Sequence, residues 1–119
     1  MRFFILLIIF FNTYLAQAQT LKVLTYNIHH GNPPAQKGVI DLEAIAKVII
    51  EADADVVGIQ EVDINVSRSG NINQAKRLAE LTNMDFFFSK GINLEKGYYG
   101  TVILTKHKII GKRRYDLPN

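Results

Sequence analysis

Cysteine is missing from all 119 residues, and its absence excludes three things. No disulfide framework braces the fold, no thiolate holds zinc, and no lipid anchor attaches through a cysteine. An exported form of this chain must be held by its core alone. A strong charge excess is missing too. Lys plus Arg number 14 against 11 for Asp plus Glu, a net of +3. That balance does not by itself point to nucleic acid. No internal repeat or low-complexity tract is found. The apolar run Phe3–Phe11 falls short of the ~20 residues that a membrane span needs, so no stable membrane anchor is expected.

That run belongs to a leader. Arg2 gives a positive start, Phe3–Phe11 an apolar centre, and Ala16-Gln17-Ala18 a small-residue cleavage site. Met1–Ala18 therefore reads as a secretory signal peptide. The alternative is an uncleaved N-terminal anchor, in which Thr13–Leu15 extends the run. The expected location is exported, periplasmic or secreted, with residues 19–119 as one small domain.

Two stretches organise that domain, Leu21–Gly31 and Asp55–Asp63. Each is a short β-branched run that ends in a polar oxygen ligand, Asn27 in one and Glu61 in the other. Continuous apolar runs suit strands buried on both faces. Side chains just past the carboxyl ends of such strands sit where open α/β sheets bind ligands.

Thr20–Ile28 and Val56–Gln60 read as the two strands. Between them lies a loop, His29–Val39, marked by Gly31-Asn32-Pro33-Pro34 and Gly38. A helix follows, capped by Asp41, with Leu42, Ile45, Ala46 and Ile49 on one face. A β-α-β unit predicts parallel strands with a right-handed crossover. The polar span Asp63–Asn73 reads as a loop, and Gln74–Thr82 as a second helix closed by Asn83. Met84–Ser89 is a third strand, Gly91–Gly97 a turn and Tyr98–Thr105 a fourth strand. Lys106-His107-Lys108 turns the chain into a return strand at Ile109–Gly111. The expected class is α/β, a mixed sheet with helices packed on one face and the other face uncovered. The ending, Leu117-Pro118-Asn119, reads as that of an incomplete domain.

A carboxylate with an amide oxygen is a hard donor set. It suits Mg²⁺, Mn²⁺ or Ca²⁺ rather than zinc or copper. Mg²⁺ commonly takes one or two protein carboxylates and fills its shell with water and phosphate. Spacing alone leaves a plainer alternative for both residues, a strand end at Asn27 and a surface ion pair at Glu61. His29 and His30 are neighbours. On an extended chain they point opposite ways and do not share one metal. Each is placed to meet a substrate, or is a solvated loop histidine. Arg68 is suited to gripping a phosphate with two N–H groups, or is an exposed loop arginine. Asp63 is placed to orient it. Phe86-Phe87-Phe88 reads as core. Lys106, Lys108, Lys112, Arg113 and Arg114 read as the charges of a solvated edge.

Three segments then stand in a telling order: Thr25-Tyr26-Asn27-Ile28, Asp55-Val56-Val57-Gly58-Ile59-Gln60-Glu61-Val62-Asp63, and Tyr99-Gly100-Thr101-Val102-Ile103-Leu104-Thr105. The chain resembles the endonuclease/exonuclease/phosphatase superfamily in this order. Tyr26-Asn27-Ile28-His29-His30-Gly31, together with Asp63, Arg68-Ser69 and the Gln74…Leu78-Ala79 helix, is similar to its exported bacterial branch. The resemblance runs over Leu21–Leu117.

It implies the N-terminal half of a four-layered α/β sandwich that hydrolyses phosphodiester or phosphomonoester bonds. It implies a divalent metal, Mg²⁺ first, with Mn²⁺ or Ca²⁺ as substitutes. Glu61 matches the principal metal-binding Glu, and Asn27 the motif Asn beside metal and phosphate. Beside these matches, loop placement puts His29 and His30, and its two-pronged grip puts Arg68, on the substrate side, with Asp63 and Thr101 supporting the site. The implied substrate is a phosphate ester of nucleic acid, a phospholipid headgroup or a sugar phosphate. Thr101 stands where many relatives have Asn, which removes a supporting hydrogen bond, and Lys108 where many have Pro. The late Gly-Asp-x-Asn and Ser-Asp-His motifs are not in the sequence. Asp63-Ile64-Asn65 only imitates the first, and His107 lacks the Ser-Asp of the second. The expected partner is thus the missing C-terminal half of the domain, without which the chain is expected to be inactive. The alternatives are a non-catalytic metal- and phosphate-binding module and an inactive truncated product.

Overall fold

The computed structural model describes residues 19–115. The leader Met1–Ala18 and residues 116–119 lie outside the described residues. Four strands form one sheet: β1 (Val23–Asn27), β2 (Val56–Ile64), β3 (Asp85–Leu94) and β4 (Gly97–Thr105), in the order β1-β2-β4-β3. β1 and β2 run parallel, with Val23 beside Val56 and Asn27 beside Gln60. β4 runs antiparallel to both β2 and β3. The parallel pair expected from the β-α-β pattern and the mixed sheet of the expected fold class are both present.

Helix α1 (Leu42–Ala52) starts where Asp41 Oδ1 accepts from Ala44 N–H at 2.9 Å. It stops at Asp53, which is left-handed at φ 50. Helix α2 (Gln74–Thr82) starts at Asn73, whose Oδ1 accepts from Lys76 N–H at 2.9 Å, and stops at left-handed Asn83. Side-chain oxygens of this kind satisfy helix-start N–H groups that have no partner within the helix. Leu42, Ile45, Ala46 and Ile49 of α1 and Ala75, Leu78 and Ala79 of α2 share one core with Val57, Ile59, Val62, Ile64, Val102 and Leu104 of the sheet. Both helices thus cover one sheet face. On the opposite face Val23 and Ile103 are exposed. Leu78 has no exposed surface, and truncating such a leucine to alanine costs about 2–5 kcal/mol.

The structure corrects several boundaries. β2 runs on through Ile64, because Asp63, read as loop, is a buried strand residue whose charge is matched by Arg68. The turn expected over Gly91–Gly97 shrinks to Glu95 and Lys96, and Gly91 lies within β3. There Lys90 faces Gly100 and Ile92 faces Tyr99, so Gly91 is the extra residue of a bulge. Gly97 serves close approach: a Cβ at that position would collide with Ile64 O. No return strand forms at Ile109–Gly111. Ile109 N–H donates instead to the Asp85 carboxylate at 3.1 Å. The loop read at His29–Val39 opens with a 3-10 turn, His29–Gly31.

Candidate metal centre at the tips of strands β1 and β2

The parallel ladder carries Asn27 to the end of β1, and Ile28 N–H still donates to Gln60 O at 3.2 Å. β2 then loses register with β4. Ile59 faces Val102 and Val62 faces Gly100, so Gln60 and Glu61 together stand opposite Thr101. Two residues against one make a β-bulge. Glu61 adopts φ 60, a left-handed conformation that costs an L-residue about 1–2 kcal/mol.

The bulge changes which side chains face the core. Val57 and Ile59 bury before it, Val62 and Ile64 after it. A regular strand would send Glu61 into the core behind Val57 and Ile59, because successive side chains alternate faces. The bulge instead leaves the carboxylate half-buried beside Asn27, whose Nδ2 donates to Glu61 Oε1 at 2.7 Å. Asn27 Oδ1 accepts from His29 N–H at 2.9 Å. The amide thus holds the carboxylate with one end and the next turn with the other.

The two histidines do not point opposite ways. Both are left-handed, at φ 46 and 43, so the chain curls where an extended one was assumed. Their ring centroids lie 4.4 Å apart, with the planes tilted by 46°. A nitrogen of each ring and an oxygen of Glu61 all lie within 4.8 Å of one another. His29 Nδ1 sits 3.0 Å from Asn32 O. A carbonyl only accepts, so Nδ1 carries a proton, and in the neutral ring Nε2 is the nitrogen with the lone pair. Burial lowers the His30 pKa below its ordinary 6.5, and Arg68 and His29 lower it further against Asp63 and Glu61.

Gln74 fastens this turn to β2. Its side chain is fully buried. Nε2 donates to His30 O at 2.6 Å, and Oε1 accepts from Asp63 N–H at 2.9 Å. Sequence reasoning placed Gln74 only at a helix start. The available signal was its spacing, four residues before Leu78 on the buried stripe. Gly31 lies against it at φ +80, where a Cβ would come within 2.9 Å of Gln74 Nε2 and 3.0 Å of Leu42 Cδ2.

Arg68 is held from one side. Its Nε donates to Asp63 Oδ2 at 2.8 Å and its Nη2 to Asp63 Oδ1 at 2.9 Å. Asp63 has no exposed surface, and the fork raises the arginine's pKa. The guanidinium lies 5.4 Å from the Tyr99 ring centroid. This pairing uses the Nε–Nη2 edge and leaves the other edge for an anion. The turn carrying Arg68, Ser67–Ser69, is tied to the β3–β4 turn. There Ser67 N–H and Oγ–H donate to Glu95 at 2.8 and 2.7 Å, which lowers the Glu95 pKa. Thr101 is exposed across from the bulge and makes no side-chain hydrogen bond among the described residues.

The donors fit a divalent cation. Glu61 is half-buried, yet no cationic side chain of the described residues forms an ion pair with it. Burying a carboxylate without a counter-charge is costly, and a metal ion supplies that charge. Beside His29, a cavity of about 350 Å³ is lined by Tyr26, Pro33, Pro34, Ala44, Ile45 and Val48 among others.

A model of the Endonuclease/Exonuclease/phosphatase family matches residues 24–119. Among solved structures, the chain is similar to an endonuclease/exonuclease/phosphatase from Beutenbergia cavernae DSM 12333. The two share 30% identity at a TM-score of 0.63, over 77% of this chain and 27% of that one. It is also similar to an endonuclease/exonuclease/phosphatase family protein from Leptotrichia buccalis C-1013-b. There the identity is 26% and the TM-score 0.52, over 77% of this chain and 40% of that one. The chain thus spans well under half the length of these relatives. No curated protein matches it.

Proposed function

Since the chain belongs to the endonuclease/exonuclease/phosphatase family, we propose that it builds the metal-binding part of a hydrolase acting on phosphate esters. The observation that carries this reading is the Asn27–Glu61 bond of 2.7 Å at the tips of two parallel strands. Glu61 would hold the divalent ion, with Mg²⁺ as the expected ion and Mn²⁺ or Ca²⁺ as substitutes. Asn27 keeps the carboxylate in place. When bound, the ion polarises a phosphoryl oxygen and offsets charge in the transition state. Arg68 presents its unused edge to a phosphate oxygen, and Asp63 fixes its direction. The apolar cavity beside His29 is suited to the organic part of the ester. The substrate classes to compare are nucleic acid, phospholipid headgroups and sugar phosphates.

The test uses the purified chain, titrated with inorganic phosphate in the presence and absence of Mg²⁺. Phosphate is expected to bind only when Mg²⁺ is present, and Glu61→Gln should remove that binding. Phosphate binding indifferent to both would overturn the reading. Bis(para-nitrophenyl) phosphate reports turnover in the same samples. Cleavage lost in Glu61→Gln would show that these residues suffice for the reaction. Export belongs to the same proposal, and N-terminal sequencing of secreted protein should begin at Gln19.

A further inference from the structure

We infer that His29, His30 and Glu61 together form one two-histidine, one-carboxylate metal site, and that it selects a transition ion such as Mn²⁺, Co²⁺ or Zn²⁺ over Mg²⁺. The inference rests on the reading that Glu61 holds the metal. It moves the two rings from substrate contact, where their place in the loop put them, to the ion itself.

Convergence comes first. One donor atom from each of the three residues lies within 4.8 Å of the other two. Bonds of about 2.0–2.1 Å to a four-coordinate ion place donors about 3.3 Å apart. Rotation of the half-buried His30 ring would close the difference and leave the His29 hydrogen bond to Asn32 O in place.

Each donor is also held from outside. His29 Nδ1–H points to Asn32 O at 3.0 Å, the arrangement by which a ligating histidine fixes its tautomer and aims its free nitrogen. Glu61 Oε1 is held by Asn27 at 2.7 Å, as ligating carboxylates are in turn hydrogen-bonded. His30 is clamped through its own carbonyl by Gln74.

The backbone pattern agrees. The described residues hold eight non-glycine positions of positive φ. Asp53 and Asn83 end helices, while Asn65, Asn71 and Glu95 stand in turns or strand ends. The other three are His29, His30 and Glu61. Backbone strain persists where the surroundings over-determine it, and it gathers at ligand clamps. Here it brings together three donors that extended chain would keep apart.

The donor set decides the ion. Mg²⁺ demands oxygen ligands in a near-octahedral shell and gives up water reluctantly. Imidazole nitrogens favour ions higher in the series Mn²⁺, Fe²⁺, Co²⁺, Ni²⁺, Cu²⁺. Two imidazoles against one carboxylate therefore tilt the site away from Mg²⁺.

The test measures binding by the full chain and does not need turnover. Calorimetry compares Mg²⁺, Mn²⁺, Co²⁺ and Zn²⁺, and pulsed electron paramagnetic resonance looks for nitrogen coupling to bound Mn²⁺. Mn²⁺ is expected to bind roughly tenfold tighter than Mg²⁺ or better, about 1.4 kcal/mol or more, with nitrogen coupling present. His29→Asn and His30→Asn keep a residue type that tolerates left-handed backbone. Each removes a ligand and should weaken Mn²⁺ and Co²⁺ by at least the about 10–100-fold that loss of a ligand's supporting hydrogen bond costs, and change Mg²⁺ little. Bound Mn²⁺ without nitrogen coupling, yet lost in Glu61→Gln, would overturn the histidine ligands and leave the Glu61 reading intact. No binding of any ion, with Glu61→Gln indistinguishable from the parent, would overturn both. Should a variant lose its native circular dichroism, the nitrogen coupling of the unaltered chain still decides.

Discussion

Replacing Gln74 with methionine tests how the candidate site is attached to the sheet. The volume is nearly kept, so packing changes little. Two hydrogen bonds disappear, Gln74 Nε2 to His30 O at 2.6 Å and Asp63 N–H to Gln74 Oε1 at 2.9 Å. The Asp63 amide is buried, and leaving it without a partner costs about 1–3 kcal/mol. His30 O is only part-buried, and its loss should cost about 1 kcal/mol or less. Together the change should destabilise the fold by about 2–3 kcal/mol. With a urea dependence of about 1.5 kcal/mol per molar, in the lower half of the usual range, the unfolding midpoint should fall by about 1–2 M. The same change frees the His29–His30 turn, so affinity for a divalent ion should fall by about tenfold. Gln74→Glu separates the two bonds. It keeps an acceptor for Asp63 N–H but sets a carboxylate against the His30 carbonyl, so the turn should loosen although the β2 bond survives. An unchanged urea midpoint and unchanged metal affinity in Gln74→Met would refute the clamp.

Arg68→Met should destabilise the fold by about 1–3 kcal/mol in a thermal melt. Breaking a buried pair commonly costs about 3–5 kcal/mol, but the Arg68 side chain is 42% exposed and water shares the loss; an unchanged melt would mean that Asp63 needs no counter-charge. Gly31→Ala should cost at least about 1–2 kcal/mol from its left-handed φ alone, with more from the contact on Gln74, and a neutral result in urea unfolding would contradict that placement. Lys106 and Lys22 pull the Asp53 pKa from 3.8 down to about 2. The folded value lies below the unfolded one, so this stabilisation is present above about pH 4 and is lost as pH falls toward 2. Asp53→Asn, which keeps a left-handed helix end, should flatten the acid limb of a circular dichroism titration over that window, and identical acid limbs would discount these ion pairs.

The elements that local chemistry dictates were legible in the sequence. The cap Asp41, the stripe Leu42-Ile45-Ala46-Ile49 and the stop at Asn83 lie in the structure as read, while the first strand, read as Thr20–Ile28, is shorter at Val23–Asn27 and the second, read as Val56–Gln60, runs on to Ile64. What escaped depends on contacts between distant residues. The bulge at Gln60 and Glu61 exists only against the register of β4, some forty residues on. Asp63 looked like loop because its charge is matched by a side chain placed on a separate turn. Gln74 reaches across 44 residues to His30. Gly91 and Gly97 read as turn formers, yet they serve a bulge and a close backbone approach. The neighbours Asn27 and Glu61 were named from their strand ends, and they meet at 2.7 Å. The convergence of His29 with His30 was not legible, because no local rule puts two successive histidines in the left-handed region.

The central claim is that the carboxylate lifted out of β2 by its bulge seats a divalent cation. Its most direct test is calorimetric titration of the chain and of Glu61→Gln with Mg²⁺ and Mn²⁺, with circular dichroism showing the same fold in both. The account predicts a single site in the parent chain and no measurable binding in the variant. Equal affinity in the two proteins would contradict it.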